Sequence, residues 1–305
     1  MNITILYGGV SAEQKISIKT GLAVAGAINK KYNLDMINFG NDFYKSPNLL
    51  MDTDLIFNAL HGGEGENGTL QAFLDIHKIP YTGSNSKACK IAMDKNITKL
   101  LSNSLGINTP KWILLKKDIH LGLKLLNNKT KNFSYPFIVK PSNEGSTFGL
   151  SLVHNEFELE KAIESAAVFS NEILIEEYIP GRELTVGILG NKTLPVVEIK
   201  PSSAIYDYNC KYKNGMSEYI VPADLASSIE RSLTADAIKI YQAIGCRHYA
   251  RVDFRMNEEG EHFLLEINTL PGMTSTSLLP MAAKEAGLDF FELIDTIIKL
   301  AKLDI

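Results

Sequence analysis

At 305 residues the chain exceeds the usual single-domain size, so two or three packed domains with ample core are expected. Hydrophobic content of 45%, charged content of 22% and a net charge of -4 describe a soluble globular protein and exclude a strongly basic surface for nucleic acid or anionic membrane. No apolar run reaches the roughly 18 residues of a membrane span. Cys89, Cys210 and Cys246 are odd in number, widely spaced and without CxxC pairing, which predicts reduced thiols and a cytoplasmic location.

Residues 1–9, MNITILYGG, lack the basic start and cleavage site of a signal peptide and read as a first strand with a glycine turn. Ser11-Ala12-Glu13-Gln14 has the form of a capping box opening a helix to about residue 28. Strand, glycine turn and helix N-terminus make a ligand site at the carboxyl edge of a parallel sheet, although GxGxxG is absent. Glu13 in a first helical turn also has a purely structural role open to it, complementing the helix dipole.

Residues 34–39 and 55–60 read as further strands, the second running into His61-Gly62-Gly63-Glu64-Gly65-Glu66-Asn67-Gly68. Glycines at that density mean close backbone approach, and a substrate-facing loop before a helix at 69–76 is the reading preferred over a merely flexible one. A helix carrying Lys95 is expected over 88–105, and a lysine- and asparagine-rich surface helix over 114–130.

An apolar strand from 135 ends in Lys140, and Glu144-Gly145-Ser146-Thr147 follows, placing a cation and free amides where a polyphosphate could lie. A lysine snorkelling at a strand end before a flexible loop reads the same way. Strands at 173–178 and 182–189 flank Pro180-Gly181, with Glu176, Glu177 and Glu183 forming either an adenosine site or only an acidic edge. The tyrosine-rich stretch 201–212 is a long loop, expected to be mobile when the site is empty. Helices at 223–242 and 282–303 complete the pattern.

Between the last two helices, 251–256 and 261–268 alternate charged and apolar residues around an NEEG turn, which predicts a β-hairpin. Val252, Phe254, Met256, Phe263, Leu265 and Ile267 form the expected core face; Arg251, Asp253, Arg255, His262, Leu264, Glu266 and Asn268 form the other. The simplest register pairs Met256 with Glu261, so that Arg251 faces Glu266 and Asp253 lies diagonal to it. Hard oxygen ligands beside an arginine suit Mg²⁺, while a solvated face with cross-strand salt bridges gives the same alternation. The Pro271-Gly272 turn that follows aims backbone N–H groups at the acidic strand, which a solvated hairpin has no need of.

Taken together, Gly8-Gly9 with Ser11-Ala12-Glu13, His61-Gly62-Gly63 with Glu66, Lys140 with Glu144-Gly145-Ser146, Tyr206-Asp207-Tyr208 with Lys211-Tyr212, Arg251 with Asp253, and Glu266-x-Asn268 with Pro271-Gly272-Met273 resemble the D-alanine–D-alanine ligases of the ATP-grasp superfamily, in order along nearly the whole chain. The resemblance implies α/β and α+β architecture in three domains: an N-terminal Rossmann-like domain (1–94), a central α+β subdomain (95–179) and a C-terminal subdomain (180–305), with ATP between the last two. It implies ligation of two D-alanines through an acyl phosphate for peptidoglycan precursors, in a homodimer. ATP and two Mg²⁺ or Mn²⁺ ions are the implied co-substrate and metals.

By the same resemblance Lys95 and Lys140 touch phosphates, Lys211 reaches the γ-phosphate, Glu176 and the Tyr178-Ile179 backbone read adenine, and Glu183 reads the ribose. Asp253, Glu266 and Asn268 match metal ligands, Arg251 and the Gly272 N–H match oxyanion donors, and Glu13 pairs with the first substrate's ammonium. Ser277 and the Leu278 N–H hold the second substrate's carboxylate, while Ser146 and Tyr212 hydrogen-bond each other and Glu13. His61, or the Ser146–Tyr212 pair, is the candidate to take the amine's proton. Asn67 and Gln14-Lys15 depart from the usual pattern at positions that match no contact. Tyr212 argues for the amide-forming type over a D-alanine–D-lactate ligase; other ATP-grasp ligases and a nucleotide-binding protein without catalysis are the remaining rivals.

Overall fold

The computed structural model describes residues 1–40, 43–45, 50, 52–116, 134–202 and 215–302. The apolar first run forms β1 (Asn2–Gly8), crosses over through α1 (Gln14–Ile28) and returns as β2 (Asn33–Phe39); β3 (Leu55–Asn58) completes a parallel sheet of order β2-β1-β3. Parallel neighbours require such a crossover, so the loops after β1 and β3 leave the same edge of the sheet. The expected capping box at 11–14 is not made. The helix starts later, with Glu13 at its cap position; Ser11 Oγ donates to the His61 carbonyl (2.6 Å) and accepts from the Glu13 N–H (3.2 Å), and the Gln14 side-chain amide donates to the Gly9 carbonyl (2.6 Å).

Three helices follow: α2 (Thr69–Ile76), α3 (Ser86–Met93) and α4 (Lys95–Ser104). The single helix expected over 88–105 is broken because Asp94 leaves helical geometry (ψ 100°) and caps α4, accepting from the Ile97 N–H at 3.1 Å. That break puts Lys95 in α4's first turn. The 114–130 helix is also corrected, since Leu114 to Lys116 belong to β4 (Trp112–Lys116) and 117–133 lie outside the described residues.

Next come β5 (Phe137–Pro141), β6 (Ser151–Val153), α5 (Glu156–Ala167) and β7 (Glu172–Glu177), an antiparallel sheet of order β4-β7-β5-β6. Helix α5 escaped the sequence reading, though Asn155 caps it and Leu159, Ala162 and Ala166 bury one face at helical spacing. The third sheet runs β11-β10-β8-β12-β13, with β9 beside β8. Its strands are β8 (Arg182–Leu189), β9 (Lys192–Thr193), β10 (Val197–Pro201), β11 (Ser217–Ile220), β12 (Tyr249–Met256) and β13 (His262–Asn268); α6 (Ser227–Ile244) covers its back. Helices α7 (Leu278–Glu285) and α8 (Phe290–Lys302) close the chain.

The first and last segments share one core. Ile3, Ile5, Leu55 and Phe57 share a cluster with Leu293, Ile294, Ile297 and Ile298 of α8 and with Leu189, Ile199 and Tyr249 of the third sheet, so the closing helix joins the core of the parallel sheet to that of the third. No helix among the described residues is long and apolar enough to cross a membrane. Cys89 and Cys246 are free and buried; Cys210 lies outside the described residues.

An ionic clasp ties these segments: buried Asp295 on α8 accepts from Lys31 Nζ (2.6 Å) and the Tyr32 hydroxyl (2.6 Å) and pairs with Lys299 (2.8 Å). Burial would raise the Asp295 carboxyl, but these donors outweigh it and bring it from 3.8 down to about 2. A depressed folded pKa stabilises above the unfolded value and loses that contribution as pH falls. Asp295→Asn is expected to cost about 1–3 kcal/mol at neutral pH in urea denaturation. The difference from wild type should fade as pH drops through 3.8 toward about 2.

Candidate active site

Strand β12 is flanked by β8 and β13, so one of its faces must be hydrocarbon: Val252, Phe254 and Met256 are buried in the core with α6. Alternation then forces Arg251, Asp253 and Arg255 onto the opposite face. The hairpin register differs from the expected one. Arg251 pairs with Asn268 and Asp253 with Glu266, then Phe254 pairs with Leu264, so Leu265 is an extra residue on β13. This β-bulge reverses the faces expected before it: Leu264 is fully buried in the core and His262 reaches Asp236 of α6, while Phe263 pairs with Arg255 and Leu265 lines the site with Glu266. Asp253 and Glu266 thereby stand directly opposite each other rather than diagonal.

Charges in so covered a place need partners. Arg251 makes a two-pronged bond to Asp253 (2.8 and 2.7 Å), which also accepts from the Thr185 hydroxyl (2.5 Å). Lys95 lies 3.2 Å from Glu266 and donates to the Glu144 carbonyl at 2.6 Å. Among the described residues no three His, Cys, Asp or Glu side chains cluster as a metal cage. Two facing carboxylates plus the Asn268 amide fit instead a hard cation that takes its remaining oxygens from water and phosphate.

A cavity of about 550 Å³ opens beside this face, lined by Glu13, His61, Lys95, Ser146, Arg251, Glu266, Asn268, Gly272, Ser277 and Leu278. Glu13, 8% exposed, accepts a hydrogen bond from Ser146. His61 is held by Thr20 at Nε2 (2.9 Å) and Glu66 at Nδ1 (3.4 Å). Gly62 (φ 67°) is required next to it, because a Cβ there would sit 2.6 Å from Glu13 Oε2. Ser277 stands at the N-cap position of α7 without a side-chain bond to the helix, its Oγ accepting from the Thr274 N–H (3.1 Å), and Leu278 is the first residue of a helix end suited to a carboxylate.

A smaller cavity of about 120 Å³ holds the residues expected around a nucleotide: Lys140, Glu176, Tyr178, Ile179 and Glu183, with Arg255 and Leu265. Lys95 and Glu266 line both cavities. Glu176 is 1% exposed, with its carboxylate between Lys140 and Lys99, the latter at 2.8 Å. Burial would raise that carboxyl; the two ammoniums outweigh it and hold it below the usual carboxylate range. Burial pushes Lys99 down to about 8, against the pull of Glu176.

Two residues of the site carry no expected role: Lys99, one helical turn from Lys95, and Arg255, which two-residue spacing puts on the charged face. The same holds for Thr185, which faces Asp253 across β8 and β12. Lys211 and Tyr212 lie outside the described residues.

A family model described as D-ala D-ala ligase C-terminus matches residues 101–299, and one described as D-ala D-ala ligase N-terminus matches 37–84. The chain belongs to the D-alanine–D-alanine ligase family. The D-alanine–D-alanine ligase of Aquifex aeolicus is 43% identical over 98% of this chain and 100% of its own, and that of Syntrophotalea carbinolica 40% over 99% and 96%. Among solved structures, the Bacillus anthracis D-alanine–D-alanine ligase complexed with ATP matches with TM-score 0.87 at 34% identity, covering 100% of this chain and 97% of that one. The VanG D-Ala:D-Ser ligase of Enterococcus faecalis matches with TM-score 0.84 at 29% identity, covering 98% and 99%. This member of the D-alanine–D-alanine ligase family therefore has the ATP-grasp fold, the smaller cavity lying between the second and third sheets.

The bulge makes a direct prediction. Leu264→Ala should cost about 2–5 kcal/mol in urea denaturation, as for a core leucine, and Leu265→Ala clearly less. The reverse order would restore the unbulged alternation.

Proposed function

We propose that this chain joins two D-alanine molecules into D-alanyl-D-alanine, converting ATP to ADP and phosphate, as a supply of peptidoglycan precursor. The observation that carries this reading is the shared wall of the two cavities at Lys95 and Glu266. A triphosphate in the smaller cavity would present its terminal phosphoryl group there, facing an amino acid held in the larger one.

In this reading Glu13 holds the ammonium of the first D-alanine and aims its carboxylate at the γ-phosphorus. Oxygen attack forms the acyl phosphate and releases ADP, with Lys95, Lys140 and Lys211 balancing phosphate charge. Ser277 and the Leu278 N–H fix the second D-alanine by its carboxylate. Its amine adds to the acyl carbonyl, and the Arg251 guanidinium and the Gly272 N–H receive the negative oxygen of the tetrahedral intermediate. Phosphate then leaves as the peptide bond forms. His61, or Ser146 with Tyr212, takes the amine proton. The 8% exposure of Glu13 supports a site that keeps water from the acyl phosphate.

Asp253, Glu266 and Asn268 would hold Mg²⁺ or Mn²⁺, which supplies charge neutralisation on the transferring phosphoryl group. The family resemblance supports two such ions, a homodimer and a cytoplasmic setting. Relatives about 40% identical over nearly full length are named for D-alanine, which supports the dipeptide over a D-alanine–D-lactate ester. The D-Ala:D-Ser neighbour shares the fold at lower identity, so the fold alone does not choose the second substrate.

The test is phosphate release from ATP and Mg²⁺ by purified protein with D-alanine, L-alanine or D-alanine plus D-lactate, with mass analysis of products. Release dependent on D-alanine with dipeptide formed is expected; release without dipeptide, or a mixed ester, contradicts the reading. Asp253→Asn should abolish turnover while circular dichroism keeps the folded spectrum, and retained turnover would remove Asp253 from the metal set.

A further inference from the structure

Arg255 is a covered charge on the site face to which the ligation chemistry above gives no part. It is 9% exposed, and its guanidinium is directed at one short stretch of chain. Nε donates to the Ile179 carbonyl at 3.0 Å, and Nη2 to the Gly181 carbonyl at 3.0 Å and the Tyr178 hydroxyl at 3.4 Å. Nη1 reaches Glu183 Oε2 at 3.3 Å, and the guanidinium carbon lies 5.4 Å from the Tyr178 ring centre. Arg255 and Glu183 are also directly opposed in the β8–β12 register.

All of these partners sit where the chain leaves β7 of the second sheet and enters β8 of the third. That connection has little room. Gly181 (φ 117°) packs so closely that a Cβ would meet the Met256 carbonyl oxygen at 2.2 Å, which seats the turn on the end of β12. Tyr178, Ile179, Glu183 and Arg255 all line the smaller cavity. A guanidinium presents its donors in a rigid fork, so one residue ties the backbone edge at 178–179 and the carboxylate at 183 into one frame.

We infer that Arg255 is a positioning residue for nucleotide selection: by fixing Glu183 relative to the Tyr178-Ile179 edge, it makes the ribose hydroxyls and the base of ATP register together. The inference rests on the ATP reading above and adds to it a determinant of sugar discrimination. Arg255 touches no reacting atom. Its loss acts on nucleotide affinity and leaves the handling of D-alanine in place.

The experiment measures KM and kcat for ATP and 2′-deoxy-ATP with the full chain as wild type, Arg255→Met, Arg255→Lys, Glu183→Gln and the double variant Arg255→Met with Glu183→Gln. Arg255→Met should raise KM for ATP about tenfold or more, the size of a lost charged hydrogen-bond set, with kcat and the D-alanine KM within about twofold. The preference for ATP over 2′-deoxy-ATP should shrink alike in Arg255→Met and Glu183→Gln, with the double variant no worse than either, because the two act as one unit. Arg255→Lys keeps charge but not the fork, so it should fold and show the same loss; it decides the matter if Arg255→Met does not fold. A lowered Tm with an unchanged ATP to 2′-deoxy-ATP ratio would make Arg255 a brace only and overturn the inference. A ratio that falls in Glu183→Gln but holds in both Arg255 variants overturns it while leaving the ATP reading intact. Wild type without ATP-dependent turnover overturns the functional reading, and this inference with it.

Discussion

Two opposite demands on β12 govern the site. The strand lies between two others, so its inner face must be hydrocarbon, yet the same strand carries Arg251, Asp253 and Arg255 outward into a covered crevice. A covered charge is tolerated only when its partners are in place, and removing one partner leaves the other at several kcal/mol of disadvantage. The neighbours are built accordingly: β8 supplies Thr185 opposite Asp253 and Glu183 opposite Arg255, and β13 supplies Glu266 and Asn268. Glu266 in turn takes Lys95, so α4 docks on β13 by its charge as much as by its apolar side.

This arrangement explains why the cations of the site come as carboxylate pairs. Arg251 on Asp253, Lys95 on Glu266 and Lys140 on Glu176 form a rank of paired charges along the line where a triphosphate is proposed to lie. Phosphate oxygens and hard cations can exchange into such pairs with little rearrangement, because donor and acceptor are already oriented. Lys99 lies behind Glu176 with its own anchors at Thr109 (2.8 Å) and over the Trp112 ring (5.5 Å). It can therefore keep that carboxylate charged when Lys140 turns toward phosphate.

Much of this was legible in residue order. The hairpin, the glycine loop after β3 and the lysine at the end of β5 each carry a local reason that spacing reveals, and the family resemblance joined them before any geometry. What could not be read is set by contacts distant in sequence. The β-bulge at Leu265 depends on how β13 meets both β12 and the 108–109 stretch, where the Asn108 carbonyl accepts from the Leu264 N–H at 2.8 Å, so alternation alone chose the wrong leucine. The capping box failed because the helix begins later than its spacing implies, with Glu13 at the cap position, while Ser11 ties to the His61 carbonyl 50 residues away. Nothing in the sequence marks Lys99 as covered by Glu176 and Trp112, whereas the cap and apolar stripe of α5 are local signals.

In the proposed reaction one carboxylate oxygen of the first D-alanine attacks phosphorus and is later expelled with phosphate as the peptide bond forms. D-alanine carrying heavy oxygen in both carboxylate positions tests it, with the released phosphate analysed by mass. One heavy oxygen should be transferred to phosphate for each dipeptide formed, the second staying in the new amide carbonyl. Phosphate with no heavy oxygen alongside normal dipeptide yield would contradict it, because the bond to phosphorus would then have been made by some other group.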